Sequence, residues 1–154
     1  MSADNRAAGL GLANMWVGFI AFAAAAVMGL YQVVERSGFF PFAESEAVYF
    51  ASVSTHGVLM GFVLTTFLVV GFGYYTATTS LDRPLWNRPL AWIGFWMCVI
   101  GVLIAAVPLL LGQASVLYTF YPPLMAHPAF YIGAALLVVG SWFWCLEMVM
   151  MMVG

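Results

Sequence analysis

Charge is almost absent from this 154-residue sequence, which has four basic residues, all of them arginine, six acidic residues and no lysine. With 6% charged residues and a formal net charge of −2, there is no basic stripe that could neutralise a phosphate backbone, and nucleic acid is excluded as a partner. Cysteine is equally scarce. Cys98 and Cys145 each lie inside an apolar run without a second cysteine or a histidine at metal-ligand spacing, so both read as small packing residues. Low-complexity segments and repeats of fixed period are also missing, although four helices could still be pseudo-symmetric in space.

What is present is apolar. Hydrophobic residues make up 65% of the chain and the mean hydropathy is +1.03, far outside the range of water-soluble domains. A hydrocarbon layer roughly 30 Å thick needs about 20 residues of apolar helix, and four uncharged stretches satisfy that requirement. They run from about 12 to 34, 48 to 75, 89 to 111 and 128 to 153, with the second ending in the polar Thr76 to Asp82 stretch and the fourth opening on Pro128. The first is too long for the apolar region of a cleaved signal peptide and is expected to stay in the membrane. The connections are short, so the expected fold is all-α, one integral membrane bundle of four transmembrane helices covering residues 1–154. Arg6, Arg83 and Arg88 fall on one side of the membrane and Arg36 on the other among Glu35, Glu44 and Glu46, which places both termini in the cytoplasm.

Polar residues inside such spans carry the functional signal. His56 lies eight residues into the second span, roughly 12 Å along the helix, and an imidazole at that depth must face protein. Its neighbours Ser52, Ser54, Thr55, Gly57 and Gly61 are small, and Gly57 to Gly61 forms a GxxxG. Two readings stand side by side. Small side chains leave room for a flat macrocycle beside an imidazole that ligates haem iron, or they allow close helix packing with His56 as an interhelical hydrogen-bonding residue. His127, directly before Pro128, reads mainly as a helix-end residue and secondarily as a ligand. Glu147, deep in the fourth span, is a candidate proton-relay carboxyl or a residue reaching the inner interface or a partner subunit. Gln32 and Gln113 read as interfacial.

Two segments are more specific. Ser54-Thr55-His56-Gly57-Val58-Leu59-Met60 resembles the helix II signature of the haem-copper oxidase catalytic subunit, where a histidine followed by glycine ligates the low-spin haem. Ala114-Ser115-Val116-Leu117-Tyr118-Thr119-Phe120-Tyr121-Pro122-Pro123-Leu124, followed by His127 and Phe130-Tyr131-Ile132-Gly133, is similar to the helix III to IV connection of the B-type branch. The first span with its Gly29-Leu30-Tyr31-Gln32 exit and the Arg83 to Arg88 loop extend the likeness over nearly the whole chain. Met125 departs from it, since B-type sequences often carry lysine there.

The resemblance implies that His56 is an axial ligand of low-spin haem b, that Gly57 and Gly61 border the cofactor, and that Tyr118 lies near the haem-copper pocket or its oxygen path. His127 remains the other available imidazole. The family's subunit has twelve or more spans, and its copper ligands and further haem ligands lie on helices beyond the fourth, so copper is not expected on this chain. The reading that follows is helices I to IV of such a subunit: a haem-binding electron-transfer portion of a respiratory oxidase, not catalytic alone, in a prokaryotic plasma membrane. Other membrane subunits or a second copy would complete it, and a cytochrome c or cupredoxin would donate electrons. The alternatives are a self-standing four-helix cytochrome b with a haem shared between two copies or completed by His127, a cofactor-free structural or assembly subunit, and a relative of nitric oxide reductase.

Overall fold

In hydrocarbon no water is available to satisfy backbone N–H and C=O groups, so a long apolar run must close its hydrogen bonds within itself as a helix. The computed structural model of the chain describes residues 3–39, 46–81, 84–117 and 120–153, and these follow that rule. Helix α1 covers Ala3–Ser37. The second span consists of α2 (Glu46–Val58), a π-helical segment (Leu59–Leu64) and α3 (Thr65–Leu81), followed by α4 (Arg88–Leu110) and α5 (Pro128–Val153). The fold is therefore all-α, with four helices long and apolar enough to cross a membrane: Gly9–Ser37, Glu46–Ser80, Arg88–Leu110 and Pro128–Val153. Among the described residues the one β-like contact is an isolated bridge between Ala114 and Ala126 in the α4–α5 connection.

Two helices run further than the uncharged stretches imply. α1 is already helical at Ala3, and the second span continues to Leu81 through the threonine-rich stretch expected to break it. The cause in the second case is local. Thr76, Thr78 and Thr79 donate their hydroxyls back to the carbonyls of Phe72, Tyr74 and Tyr75 at 2.9, 2.8 and 2.8 Å, which satisfies the polar groups inside the helix. α4 starts where its sequence dictates: the Asn87 side chain accepts the Leu90 N–H at 3.2 Å, and Pro89 occupies the first turn, where no N–H is needed.

The four spans pair through glycine. α4 and α5 approach backbone to backbone at Gly101 and Gly133 and again at Gly94 and Gly140; a Cβ on Gly140 would meet Cys98 Sγ at 2.5 Å. α1 meets α3 in the same way at Gly11 and Gly71, where a Cβ on Gly71 would stand 2.7 Å from the Gly11 carbonyl oxygen. Between the pairs lies a core containing Leu10, Phe67, Tyr74, Phe95 and Phe130, while Trp16, Ile20, Leu30, Leu103 and Trp142 point outward. An apolar exterior is expected of a bundle whose solvent is lipid, and small residues at the contacts replace the hydrophobic drive that water would provide.

Candidate functional site

His56 stands on the α2 face turned to α1. Its Nδ1 is 2.8 Å from the Ala25 carbonyl oxygen. A carbonyl has no proton to give, so Nδ1 carries the hydrogen and donates, and in the neutral ring Nε2 keeps its lone pair. The ring also lies against Gly29: a Cβ there would be 3.1 Å from Cε1 and 3.4 Å from Nδ1, tighter than ordinary van der Waals contact. Gln32, one turn on, donates from Nε2 to the Ser52 carbonyl at 3.0 Å and ties α1 to α2 beside the imidazole. The side chain is half-buried. This combination of one nitrogen fixed by a backbone acceptor and the other left basic is how proteins orient a metal-ligating imidazole.

The other expected site residues fall in different surroundings. Gly57 is half-buried, and Gly61 is exposed with open space where a Cβ would be. Tyr118 lies outside the described residues, as do Thr119 and Arg83. Its flanks are nevertheless anchored. The Leu117 N–H donates to the buried Ser54 hydroxyl at 2.8 Å, and the Phe120 ring lies 5.5 Å, centroid to centroid, from both Phe62 and Phe130. Leu117 and Phe120 both have φ of 57°, a left-handed conformation that non-glycine residues adopt under constraint. His127 is at the head of α5, where its Nδ1 accepts the Ala129 N–H at 3.2 Å and its own N–H donates to the Gln113 carbonyl. It acts there as a helix cap and connection clasp.

Glu147 is fully buried. Its Oε1 accepts the Asn87 N–H at 2.6 Å, so the carboxyl joins α5 to the residue that caps α4. Cys98 is buried and donates to the Leu137 carbonyl at 3.4 Å, while Cys145 is exposed; both are free thiols. Among the described residues no three His, Cys, Asp or Glu side chains converge.

Next to His56 is a cavity of about 580 Å³ bounded by the second span, α4 and α5, with Ala24 of α1 at its edge. Thr55, Phe62, Ala105, Leu109, Phe130 and Leu137 help line it, whereas His56, Gly57 and Gly61 do not. The Thr55 hydroxyl bonds back to the Ala51 carbonyl at 2.8 Å, leaving the cavity wall apolar. The cavity and the imidazole are thus separate features of one helix. Sequence reasoning missed Ala25, since a backbone carbonyl leaves no sequence signature, and the Ser54 and Asn87 contacts, which join residues 63 and 60 positions apart.

Comparison with known proteins matches this arrangement to one family. Residues 9–154 fit the family described as cytochrome c and quinol oxidase polypeptide I. Cytochrome c oxidase subunit 1 of Thermus thermophilus is 36% identical over 136 residues, which cover 82% of this chain and 23% of that protein. A heme-copper terminal oxidase dimer solved by cryo-EM superimposes with a TM-score of 0.81 at 38% identity, covering 89% of this chain and 24% of that one. The chain spans about a quarter of the length of these relatives. Fold, span order and sequence agree, and the chain belongs to the cytochrome c and quinol oxidase polypeptide I family.

Proposed function

We propose that His56 supplies, through Nε2, one axial ligand of a low-spin haem b, and that this chain forms the low-spin haem half-site of a haem-copper terminal oxidase. The observation that carries this reading is the 2.8 Å contact from Nδ1 to the Ala25 carbonyl, which sets the tautomer that leaves Nε2 basic. Gly29 seats the ring, Gln32 holds α1 against α2, and Gly57 and Gly61 keep bulk away from the neighbouring helix face. When bound, the haem would supply one-electron chemistry at its iron. The protein's part is to fix the imidazole and exclude water with the surrounding apolar helices. The second axial ligand, the remaining helices, copper and oxygen reduction belong to the rest of the assembly, with a cytochrome c or cupredoxin as electron donor. Tyr118, between its two anchored flanks, is assigned to the wall of the haem-copper pocket or its oxygen path. The family setting supports a multi-pass protein of a prokaryotic plasma membrane, and the arginine distribution supports cytoplasmic termini.

With Nδ1 of His127 taken by the Ala129 N–H, that residue is the poorer candidate for a ligand, which favours the half-site over a self-standing cytochrome completed within one chain. The test is a reduced-minus-oxidised visible spectrum of the membrane assembly purified with this chain in it, and of the same assembly carrying His56→Ala, with haem counted by pyridine extraction. We expect a sharp low-spin b-type spectrum that the substitution abolishes while the four spans remain inserted. Equal haem content in the two proteins would overturn the assignment.

A further inference from the structure

Two buried polar atoms on α5 lack a hydrogen-bond partner among the described residues: Trp144 Nε1 and Glu147 Oε2. They are three positions apart and so share one face of the helix. Leaving a buried donor or acceptor unpaired is costly, and such atoms in native proteins usually meet a buried water. Trp144 borders a cavity of about 10 Å³ whose wall also includes Asn14 from α1, Thr66 and Tyr74 from α3, Cys98 from α4 and Ser141 from α5. That is room for about one water molecule.

The wall supplies the acceptors such a molecule needs. Ser141 donates its hydroxyl to the Val138 carbonyl at 2.7 Å, which leaves its lone pairs available, and Asn14 donates its amide to the Leu10 carbonyl at 2.9 Å, leaving its side-chain oxygen. We propose that a single internal water occupies this cavity, accepting from Trp144 Nε1 and donating to oxygens of a wall to which all four spans contribute side chains. The larger cavity beside the second span has no such orphaned atom in its wall, and apolar cavities of that kind stay dry.

The site is tested by NMR on the full chain in lipid nanodiscs with ¹⁵N-labelled tryptophan. Trp144→Phe assigns the indole signal by its disappearance from the spectrum. The expected result is a cross-relaxation peak between the Trp144 indole N–H and a long-lived water. A second variant, Thr66→Ile, replaces a hydroxyl with bulk at the wall. It is expected to abolish the water peak and move the indole proton upfield as its hydrogen bond is lost. A Trp144 indole signal with no water peak in the unmodified chain would overturn the proposal, and so would a water peak that persists in Thr66→Ile.

Discussion

The two helix seams of this bundle use glycine to different ends. Along α4 and α5, the Gly94–Gly140 and Gly101–Gly133 contacts bring backbone onto backbone, and nothing larger than a hydrogen fits between the helices. Along α1 and the second span, the same device operates at Gly11 and Gly71, but at the other end Gly29 receives an imidazole instead of a backbone. One seam is closed throughout; the other is closed at one end and held apart by His56 at the other. The closed seam needs nothing further to be satisfied. The open one leaves a basic nitrogen half-buried, an arrangement that makes sense when a third body is to complete it.

Closing or opening these seams by mutation separates structure from cofactor binding. Gly133→Val should have the largest effect, because its Cβ would collide with the Gly101 carbonyl and with Ala105 N at 2.7 Å. Overpacking of this kind costs about 1–3 kcal/mol or more, visible as a lower midpoint in denaturant unfolding in micelles followed by circular dichroism, with haem lost only as the bundle unfolds. Glu147→Ala should follow at about 1–3 kcal/mol, the usual cost of leaving a buried donor without its partner, since it frees the Asn87 N–H at the head of α4. Glu147→Gln keeps an oxygen acceptor and should recover most of that loss in the same unfolding assay. Gly29→Ala acts on the open seam alone. Its methyl would press on His56 Cε1 at 3.1 Å, so haem content or the position of the low-spin band should change while the unfolding midpoint moves by less than about 1 kcal/mol. The smallest structural effect belongs to Gly61→Leu, whose side chain enters open space. Its unfolding midpoint should stay within roughly 0.5 kcal/mol of the parent, and a drop in haem occupancy would mark Gly61 as part of the macrocycle's bed.

The four spans were legible because a bilayer demands long uncharged runs and leaves few other solutions. Their ends were less so. Threonines 76, 78 and 79 look polar enough to stop a helix, yet each bonds back within it, and the resulting extension is invisible to composition. His56 stood out as an imidazole among apolar neighbours, whereas its orientation depends on Ala25, a residue whose side chain says nothing. Gln32, expected at an interface, also bridges to Ser52, a contact that its position near the helix end does not announce. Glu147, a candidate proton-relay or interface carboxyl by its place in the fourth span, is buried, and its bond to Asn87 joins residues too far apart in sequence to be read together. Trp144 carried no signal at all, because an unpaired indole N–H exists only once the helices are assembled.

The π-helical segment Leu59–Leu64 lies between His56 and Gly71, two of the points at which the second span meets α1. In an ordinary α-helix each residue turns the chain by about 100°, so the angular offset between two such points is set by the number of residues separating them. A wide turn accommodates an additional residue and resets that offset, which is why single-turn π segments recur near functional positions. Leu59–Leu64 therefore works as a phase adjuster. Deleting one residue from the α-helical stretch beyond it, where no wide turn can absorb the change, would rotate everything that follows by about 100° and swing Gly71 away from Gly11 while His56 kept its place. The imidazole and the far glycine contact are made by one helix, and the irregular turn between them is what lets both be in register at once.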